Sequence, residues 1–553
     1  MKQGKLIPWK RFVQLILLDK RDILQIIYYA VFSGIVALSL PLGIQAIINL
    51  IQGAQISTSW IVLVSLVTLG VAFSGLLQLM QLRIIETIQQ RIFVRSSFEL
   101  SYLFPKIKME KIRGFYPPEL ANRFFDILSI QKGLSKILID VPAALLQILF
   151  ALVLLSFYDP IFIVFGIVLI ATVFLVFRYT IRRGLETSLE ESKHKYKVAH
   201  WIQEVARSIM SFKLSGRTSL ALTKNDELVK EYLNARENHF SIIKFQFIKM
   251  IGFKAVITAG LLIIGGSLVL SQRMNIGQFV ATEIIILLVI NSLEKLILGL
   301  ETFYDTLTSV EKLGRVIDQP IESQKGEKIN LTKGLNVSLT DVTYQVPNRQ
   351  KAILSNISMD IAPKSRILIQ GESGAGKSTL LRTISGISSP SSGSIHINGL
   401  SLTGININHY RTLLGLSLSE ELPFEGTLRE NLTFGDKDIE DSKVLEILNV
   451  IGLSDFLRNL PHGLNSQILA EGKQIAYTVA KKIVLARAII KQPRLLILED
   501  ALNQFSQSES KAIIDYLCSP EHSWSIIVVS RNEHWNKHCT QIIHLKEGEI
   551  NIK

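Results

Sequence analysis

The chain has 553 residues, 48 % hydrophobic and only 19 % charged, with a formal net charge of +13. That length asks for more than one domain at roughly 100–200 residues each, and a mean hydropathy of +0.32 is too high for a chain soluble throughout. The two cysteines, Cys518 and Cys539, exclude a disulfide framework and have no metal or redox spacing, so reduced cytosolic thiols are expected; the basic balance reads as Lys and Arg held in cytosolic loops rather than as nucleic-acid binding.

Residues 1–20 are basic and amphipathic, with Trp9, Phe12, Leu15 and Leu18 at helical spacing. They are expected to lie as a helix on the inner membrane face, with no cleavable signal peptide. Residues 21–305 hold six apolar stretches near the ~20 residues that cross a bilayer. They run from Leu24 to Leu50, Trp60 to Leu82, Ile137 to Phe157, Ile161 to Phe177, Ile251 to Leu270 and Phe279 to Leu300. Pro41 is expected to kink the first.

The connections are unequal. Ile51 to Ser59, Tyr158 to Pro160 and Ser271 to Gly277 are short and hold one basic residue, Arg273. Arg83 to Lys136 and Arg178 to Met250 are long, helical in pattern and basic, with Arg182, Arg183, Lys193, Lys195 and Lys197. Basic loops stay inside, which predicts a cytosolic N-terminus, short external loops, and helices that continue into the cytosol. Gln45, Asn49, Asp140, Gln147, Glu283, Asn291, Glu294 and Lys295 fall within the spans. Polar groups at that depth face a cavity or a partner. Asn291 and Glu294 are candidates for a translocation path; a local Glu294–Lys295 pair or helix-to-helix hydrogen bonds are the alternatives.

Residues 306–330 read as a linker, and residues 331–553 alternate short β-rich runs with helices, as an α/β domain does. There the buried strand Arg366–Gln370 meets Gly371-Glu-Ser-Gly-Ala-Gly-Lys-Ser-Thr379 and then a helix. A strand, this glycine pattern and a helix form a phosphate-binding loop. The backbone around Gly371, Ser373, Gly374, Ala375 and Gly376 wraps a phosphate with inward N–H groups. Lys377 reaches the β- and γ-phosphates, Ser378 coordinates Mg²⁺, and Thr379 completes the cofactor-binding loop before the helical Leu380 to Ser385. The expected ligand is ATP with Mg²⁺.

Six spans with cytosolic extensions, followed by this domain, resemble the ATP-binding cassette exporters over essentially the whole chain. Phe424-Glu-Gly-Thr-Leu-Arg-Glu-Asn-Leu432, Leu485-Ala-Arg-Ala488 and Ile543-His-Leu-Lys-Glu-Gly-Glu-Ile550 are similar to that family's conserved segments. Leu40-Pro-Leu-Gly-Ile-Gln-Ala-Ile-Ile48 is most similar to bacterial peptide and protein secretion exporters. The resemblance implies a membrane protein of two parts, a six-helix all-α transmembrane domain and an α/β P-loop ATPase domain. It places them in a bacterial inner membrane with the ATPase domain cytosolic. It also implies a homodimer or a heterodimer with another half-transporter, and a membrane-fusion protein as a possible partner.

Several family positions are altered. An adenine-stacking aromatic aligns with Val346, with Tyr344 as a substitute or a core residue. The Mg²⁺-bridging glutamine aligns with Ser419. The Leu-Ser-Gly-Gly-Gln signature aligns with Ile475-Ala-Tyr-Thr-Val479, which lacks the hydroxyl and the close approach that glycine permits. The paired carboxylates are inverted to Glu499-Asp500, with Glu499 on the Mg²⁺ side. The switch histidine aligns with Arg531, or with Ser530 one residue earlier, and Asn503-Gln-Phe-Ser506 replaces Ser-Ala-Leu-Asp. A misplaced carboxylate can cost about 10²-fold in rate. The expectation is therefore a nucleotide-binding exporter subunit with weakened catalytic equivalents at Glu499, Asp500 and Arg531 and slowed hydrolysis. The alternatives are an ATP-binding pseudoenzyme that scaffolds a secretion complex, and, from another class, a ligand-gated channel, against which the short external loops argue.

Overall fold

The computed structural model describes residues 8–53, 58–113, 116–216, 219–331, 334–347 and 350–552. The start of the N-terminal segment and residues 54–57 of the first short loop lie outside them. The chain divides into two units, Met1–Pro105 with Phe115–Gln319, and Lys106–Gly114 with Pro320–Lys553.

The first unit is helical. Its main elements are α1 (Pro8–Leu17), α2 (Lys20–Ala37), α3 (Ser39–Gln52), α4 (Thr58–Leu103), α5 (Asp126–Ser156), α6 (Ile161–Arg207), α7 (Ser219–Leu270) and α8 (Ile276–Ile317). The first expected span is broken into α2 and α3 at Leu38. Pro41 has no N–H to return to the carbonyl four residues earlier, so the helix restarts there, and the Leu38 N–H turns back to the Ile35 carbonyl at 3.1 Å.

Five helical stretches among the described residues are long and apolar enough to cross a membrane: Lys20–Gln52, Thr58–Lys106, Pro117–Ser156, Ser219–Leu270 and Ile276–Ile317. The fourth expected span begins α6, where the apolar run Ile161–Thr172 is shorter. In four of the five the most apolar window is only 11–22 % buried. So much outward apolar surface has no place in water and suits lipid. The α8 window is half buried, at 50 %, because α8 packs on α5, α3, α7 and α6. Ile285, Val289 and Leu293 meet Ala144, Ile148 and Ala151 in the core of this unit.

Polar groups in these helices find specific partners. Ser292 donates to Gln147 at 2.9 Å, and Tyr158 donates to Gln45 at 2.5 Å. Glu294 pairs with Lys254 of α7 at 2.5 Å, not with Lys295. Adjacent residues on a helix point apart, which is why the local pair does not form. Phe12 of α1 is buried against Phe303 of α8, ring centroids 6.0 Å apart. Arg11 bonds Asp318 at 2.5 Å, so α1 is docked on protein as well as amphipathic.

The second unit is α/β. A four-stranded antiparallel sheet has the order β2 (Leu354–Ile361), β1 (Val337–Tyr344), β4 (Ser392–Ile397), β5 (Leu400–Ser401). A six-stranded sheet has the order β12 (Glu549–Ile552), β11 (Gln541–Lys546), β3 (Arg366–Gln370), β10 (Ser525–Val529), β9 (Leu495–Glu499), β6 (Leu414–Ser417). Within it β11, β3, β10, β9 and β6 are parallel and β12 pairs antiparallel. β7 (Gly426–Thr427) and β8 (Gln467–Ile468) form a separate pair. The helices that matter for the site are α9 (Lys377–Ile384), α10 (Tyr477–Ile490) and α11 (Gln507–Leu517).

A stretch of the first long loop belongs to this unit. Ile107 bridges Ile321, the Ser389 N–H donates to Glu110 at 2.7 Å, and the Arg113 guanidinium lies 5.1 Å from the centre of the Tyr344 ring.

Candidate functional site

Parallel strands leave their C-terminal ends on one edge of a sheet, where ligands collect. Four strands end together here. β3 runs into the glycine loop, β9 ends at Glu499, β10 is followed by Ser530 and Arg531, and β6 is followed by Leu418 and Ser419. The register pairs Val529 with both Glu499 and Ile369, so these groups are adjacent by construction. They line a pocket of about 710 Å³ that includes Gly371, Ser373, Gly374, Gly376, Lys377, Ser378, Thr379, Ser419, Glu499, Asp500, Ser530 and Arg531.

The loop needs its glycines. A Cβ at Gly371 would lie 2.2 Å from the Leu545 carbonyl oxygen, and one at Gly376 would lie 2.8 Å from that of Ile353. Gly376, at φ +104°, caps α9, whose free N–H groups open toward the pocket. The Lys377 ammonium donates to the carbonyls of Gly371 at 2.8 Å and Glu372 at 2.7 Å. It keeps a third donor for a ligand. Ala375 is buried in the loop wall and does not line the pocket.

Glu499 is 4 % exposed. Its carboxylate accepts from the Ser378 hydroxyl and from the Ser419 N–H and hydroxyl at 3.3 and 3.0 Å. A hydroxyl and a carboxylate side by side are the hard oxygen donors Mg²⁺ takes, so Ser378 and Glu499 fit that ion. Asp500 sits at φ +49° and accepts from the Asn503 amide at 2.7 Å. Arg531 is exposed into the pocket, while the buried Ser530 hydroxyl accepts from the Asn532 N–H at 3.1 Å.

Two expected contributors stand elsewhere. Tyr344 is 3 % exposed and belongs to the hydrophobic core. Strand β1 turns its ring inward, and it does not line the pocket. Residues 475–479 span the N-terminal end of α10 and do not line the pocket. Ala476 makes no side-chain cap there and Tyr477 is exposed.

Lys481 of α10 belongs to no motif, yet it is 7 % exposed and donates to the carbonyls of Ser419 at 2.6 Å and Glu421 at 2.9 Å. Burial pushes the Glu421 carboxyl above its ordinary range, partly offset by the Leu418 N–H, Arg487 and Lys481. Lysine at that helical position is the one visible signal: a long cation on an otherwise buried helix needs acceptors.

A family profile described as ABC transporter matches residues 354–503. The chain is similar to "Multidrug resistance protein sirA" of Leptosphaeria maculans, 30 % identical over 249 residues, 44 % of this chain and 20 % of that one. It is similar to "Alpha-hemolysin translocation ATP-binding protein HlyB" of Escherichia coli O157:H7, 26 % identical over 286 residues, 52 % and 40 % of the two chains. It is also similar to "ATP-dependent lipid A-core flippase" of Xylella fastidiosa (strain Temecula1 / ATCC 700964), 26 % identical over 298 residues, 54 % and 50 % of the two. The chain spans between a fifth and about half of the length of the curated relatives it matches. Among solved structures, "Structure of a bacterial Atm1-family ABC exporter with ATP bound" superposes with a TM-score of 0.86 at 16 % identity, over 96 % of this chain and 94 % of that one.

Proposed function

We propose, from the premise that this chain is an ABC exporter half-transporter in fold and carries an ABC transporter domain, that it is the ATP-binding transmembrane subunit of an exporter with slow hydrolysis. The observation that carries this is the gathering of the glycine loop, Lys377, Ser378, Ser419 and Glu499 around one pocket at the sheet edge. The loop amides and Lys377 would hold the phosphates, and Ser378 with Glu499 would hold Mg²⁺. Bound nucleotide would supply the free energy that favours one arrangement of two such subunits.

The groups that would set the rate are weaker. Ser419 cannot extend as glutamine does and spends its hydroxyl on Glu499. Asp500 is short and engaged by Asn503. Arg531 neutralises phosphate charge but cannot act as a neutral hydrogen-bonding imidazole. Residues 475–479 are not among those lining the pocket of their own chain, which supports a second subunit as the one they serve. That subunit would be a second copy or another half-transporter. The cargo class would be a peptide, protein or other amphipathic molecule. Asn291, exposed on α8, and Glu294, held by Lys254, would border its path. The N-terminus and the ATPase domain would be cytosolic, the membrane a bacterial inner membrane, and a membrane-fusion protein a possible partner.

A second reading, an ATP-binding pseudoenzyme in a secretion complex, is favoured by the Asp500–Asn503 bond and by Tyr477 at the signature position. Purified protein in nanodiscs decides between them. ATP affinity and turnover are measured with and without Lys377→Ala, and cargo movement is followed in vesicles. Slow turnover with cargo movement supports the exporter. Tight binding without either supports the pseudoenzyme. Turnover at ordinary exporter rates, or unchanged affinity in Lys377→Ala, refutes the proposal.

A further inference from the structure

Asp515, in the last turn of α11, meets two histidines of the short turn Glu533–Lys537 and its cap. The His534 Nε2 lies 2.7 Å and the His538 Nε2 lies 3.0 Å from the same Asp515 oxygen. The two imidazole centroids are 5.0 Å apart at 60°. One donor atom from each of the three falls within 4.8 Å of the others, the only such group among the described residues.

We propose that Asp515, His534 and His538 form a binding site for a divalent d-block cation such as zinc. Two imidazole nitrogens and one carboxylate oxygen suit zinc, cobalt or nickel and do not suit magnesium or calcium. With metal–ligand bonds near 2.0–2.2 Å, donors around a tetrahedral ion stand about 3.3 Å apart. The two Asp515 contacts therefore need to open by only a few tenths of an ångström. Both histidines would bind through Nε2 and leave the fourth position to water, since one side of the cluster is exposed.

The protein already holds the donors in place. The Asn532 side chain accepts from the His534 N–H at 2.9 Å, the His538 N–H donates to the Trp535 carbonyl at 3.0 Å, and Trp535 between them is buried. Helix α11 starts with a reciprocal Ser506–Glu509 cap. The ligands thus sit on two anchored elements, as a preorganised metal site requires. The same turn brings Glu533 and Asn536 to the nucleotide pocket, and Arg531, one residue before its cap Asn532, lines that pocket too. A metal ion tying that turn to α11 restricts where those three can go, so zinc occupancy couples to nucleotide affinity.

The test is titration of the purified full chain, freed of any histidine tag, with cobalt(II) alone. Wild type is expected to take up one cobalt with the strong visible bands of a four-coordinate ion, displaced by zinc and not by magnesium. His534→Gln and His538→Gln should each weaken uptake at least about tenfold, while Cys518→Ser with Cys539→Ser leaves it intact. If a histidine variant does not elute as wild type, Asp515→Asn decides in its place. Absent bands, bands unchanged in the ligand variants, or bands lost only with the thiols would overturn the site. Fluorescent-ATP affinity identical with and without zinc would overturn the coupling.

Discussion

Gly371→Ala and Gly374→Ala should separate sharply in nucleotide affinity, although both change one loop glycine at positive φ, +155° and +83°. An alanine in that region costs about 1–2 kcal/mol. At Gly374 nothing lies within 4 Å of the added Cβ, so that cost stands alone and affinity should fall by no more than about thirtyfold. At Gly371 the Cβ meets the Leu545 carbonyl oxygen at 2.2 Å, when ordinary contact is roughly 3.5 Å. The loop and strand β11 must part by about 1 Å, against the parallel ladder that joins β11 to β3. Overpacking of this kind adds about 1–3 kcal/mol and displaces the amides that would face the phosphates. Binding should fall at least about a hundredfold, a loss of about 2.7 kcal/mol or more. The assay is fluorescent-ATP titration of the nanodisc protein, with circular dichroism to verify the fold. Gly371→Ala within about threefold of wild type, or a weaker binder in Gly374→Ala, would refute the cradle as drawn.

Glu499→Gln should reduce the dependence of nucleotide affinity on magnesium, measured by titration with and without the ion, because one of its two proposed oxygen donors loses its charge. Burial pushes the Cys518 thiol up to about 11 and the Cys539 thiol to about 12. At pH 8 the Cys518 thiolate fraction is therefore on the order of 200-fold below that of a free thiol near 8.5, and alkylation followed by mass spectrometry should be slow until the domain unfolds. The Lys482 ammonium, then the Ser506 hydroxyl, holds the Glu509 carboxyl below its ordinary range. A depressed acid contributes stability above its unfolded pKa of about 4.3, lost as pH falls through the lower folded value. Acid unfolding followed by circular dichroism should accordingly be shallower below pH ~4.3 in Lys482→Met.

The phosphate loop is legible in the sequence because every part of it lies within nine consecutive residues whose backbone geometry demands glycine. Glu499 is legible for a related reason, as the first charge after a run of four apolar strand residues. Hydropathy locates the membrane helices, since lipid imposes the same requirement on each one separately. Contacts between distant residues are not legible in this way. Glu294 sits beside Lys295 in the chain but meets Lys254, forty residues away on another helix. Register puts Val346 at the stacking position, with Tyr344 two residues earlier as a substitute or a core residue, and the fold places Tyr344 in the core. Lys481 and the two histidines beyond Arg531 have ordinary local sequence. Their partners, Ser419 and Asp515, reach them through the sheet.

The charge of the pocket bears on what it can hold. Lys377 and Arg531 line it against Glu499, Asp500 and Glu533, so the ionised side chains there favour anions less than a phosphate site would need. A highly anionic triphosphate would draw its attraction from two other sources. One is the row of loop and α9 amides, whose dipoles carry no countercharge. The other is a divalent ion arriving between Ser378 and Glu499, which reverses the local sign. On that reading Glu499 would be more useful as an ion ligand than as a base. Its carboxylate is already turned to Ser378 and Ser419, leaving Asp500, held by Asn503 and next to Glu499 in the chain, as the carboxylate that would face a nucleophilic water on the proposed function. Positioning governs phosphoryl transfer more than any covalent contribution from the protein. On the proposed function, a short, tethered aspartate would lower the rate without lowering affinity, so affinity and turnover would be separable properties of this domain.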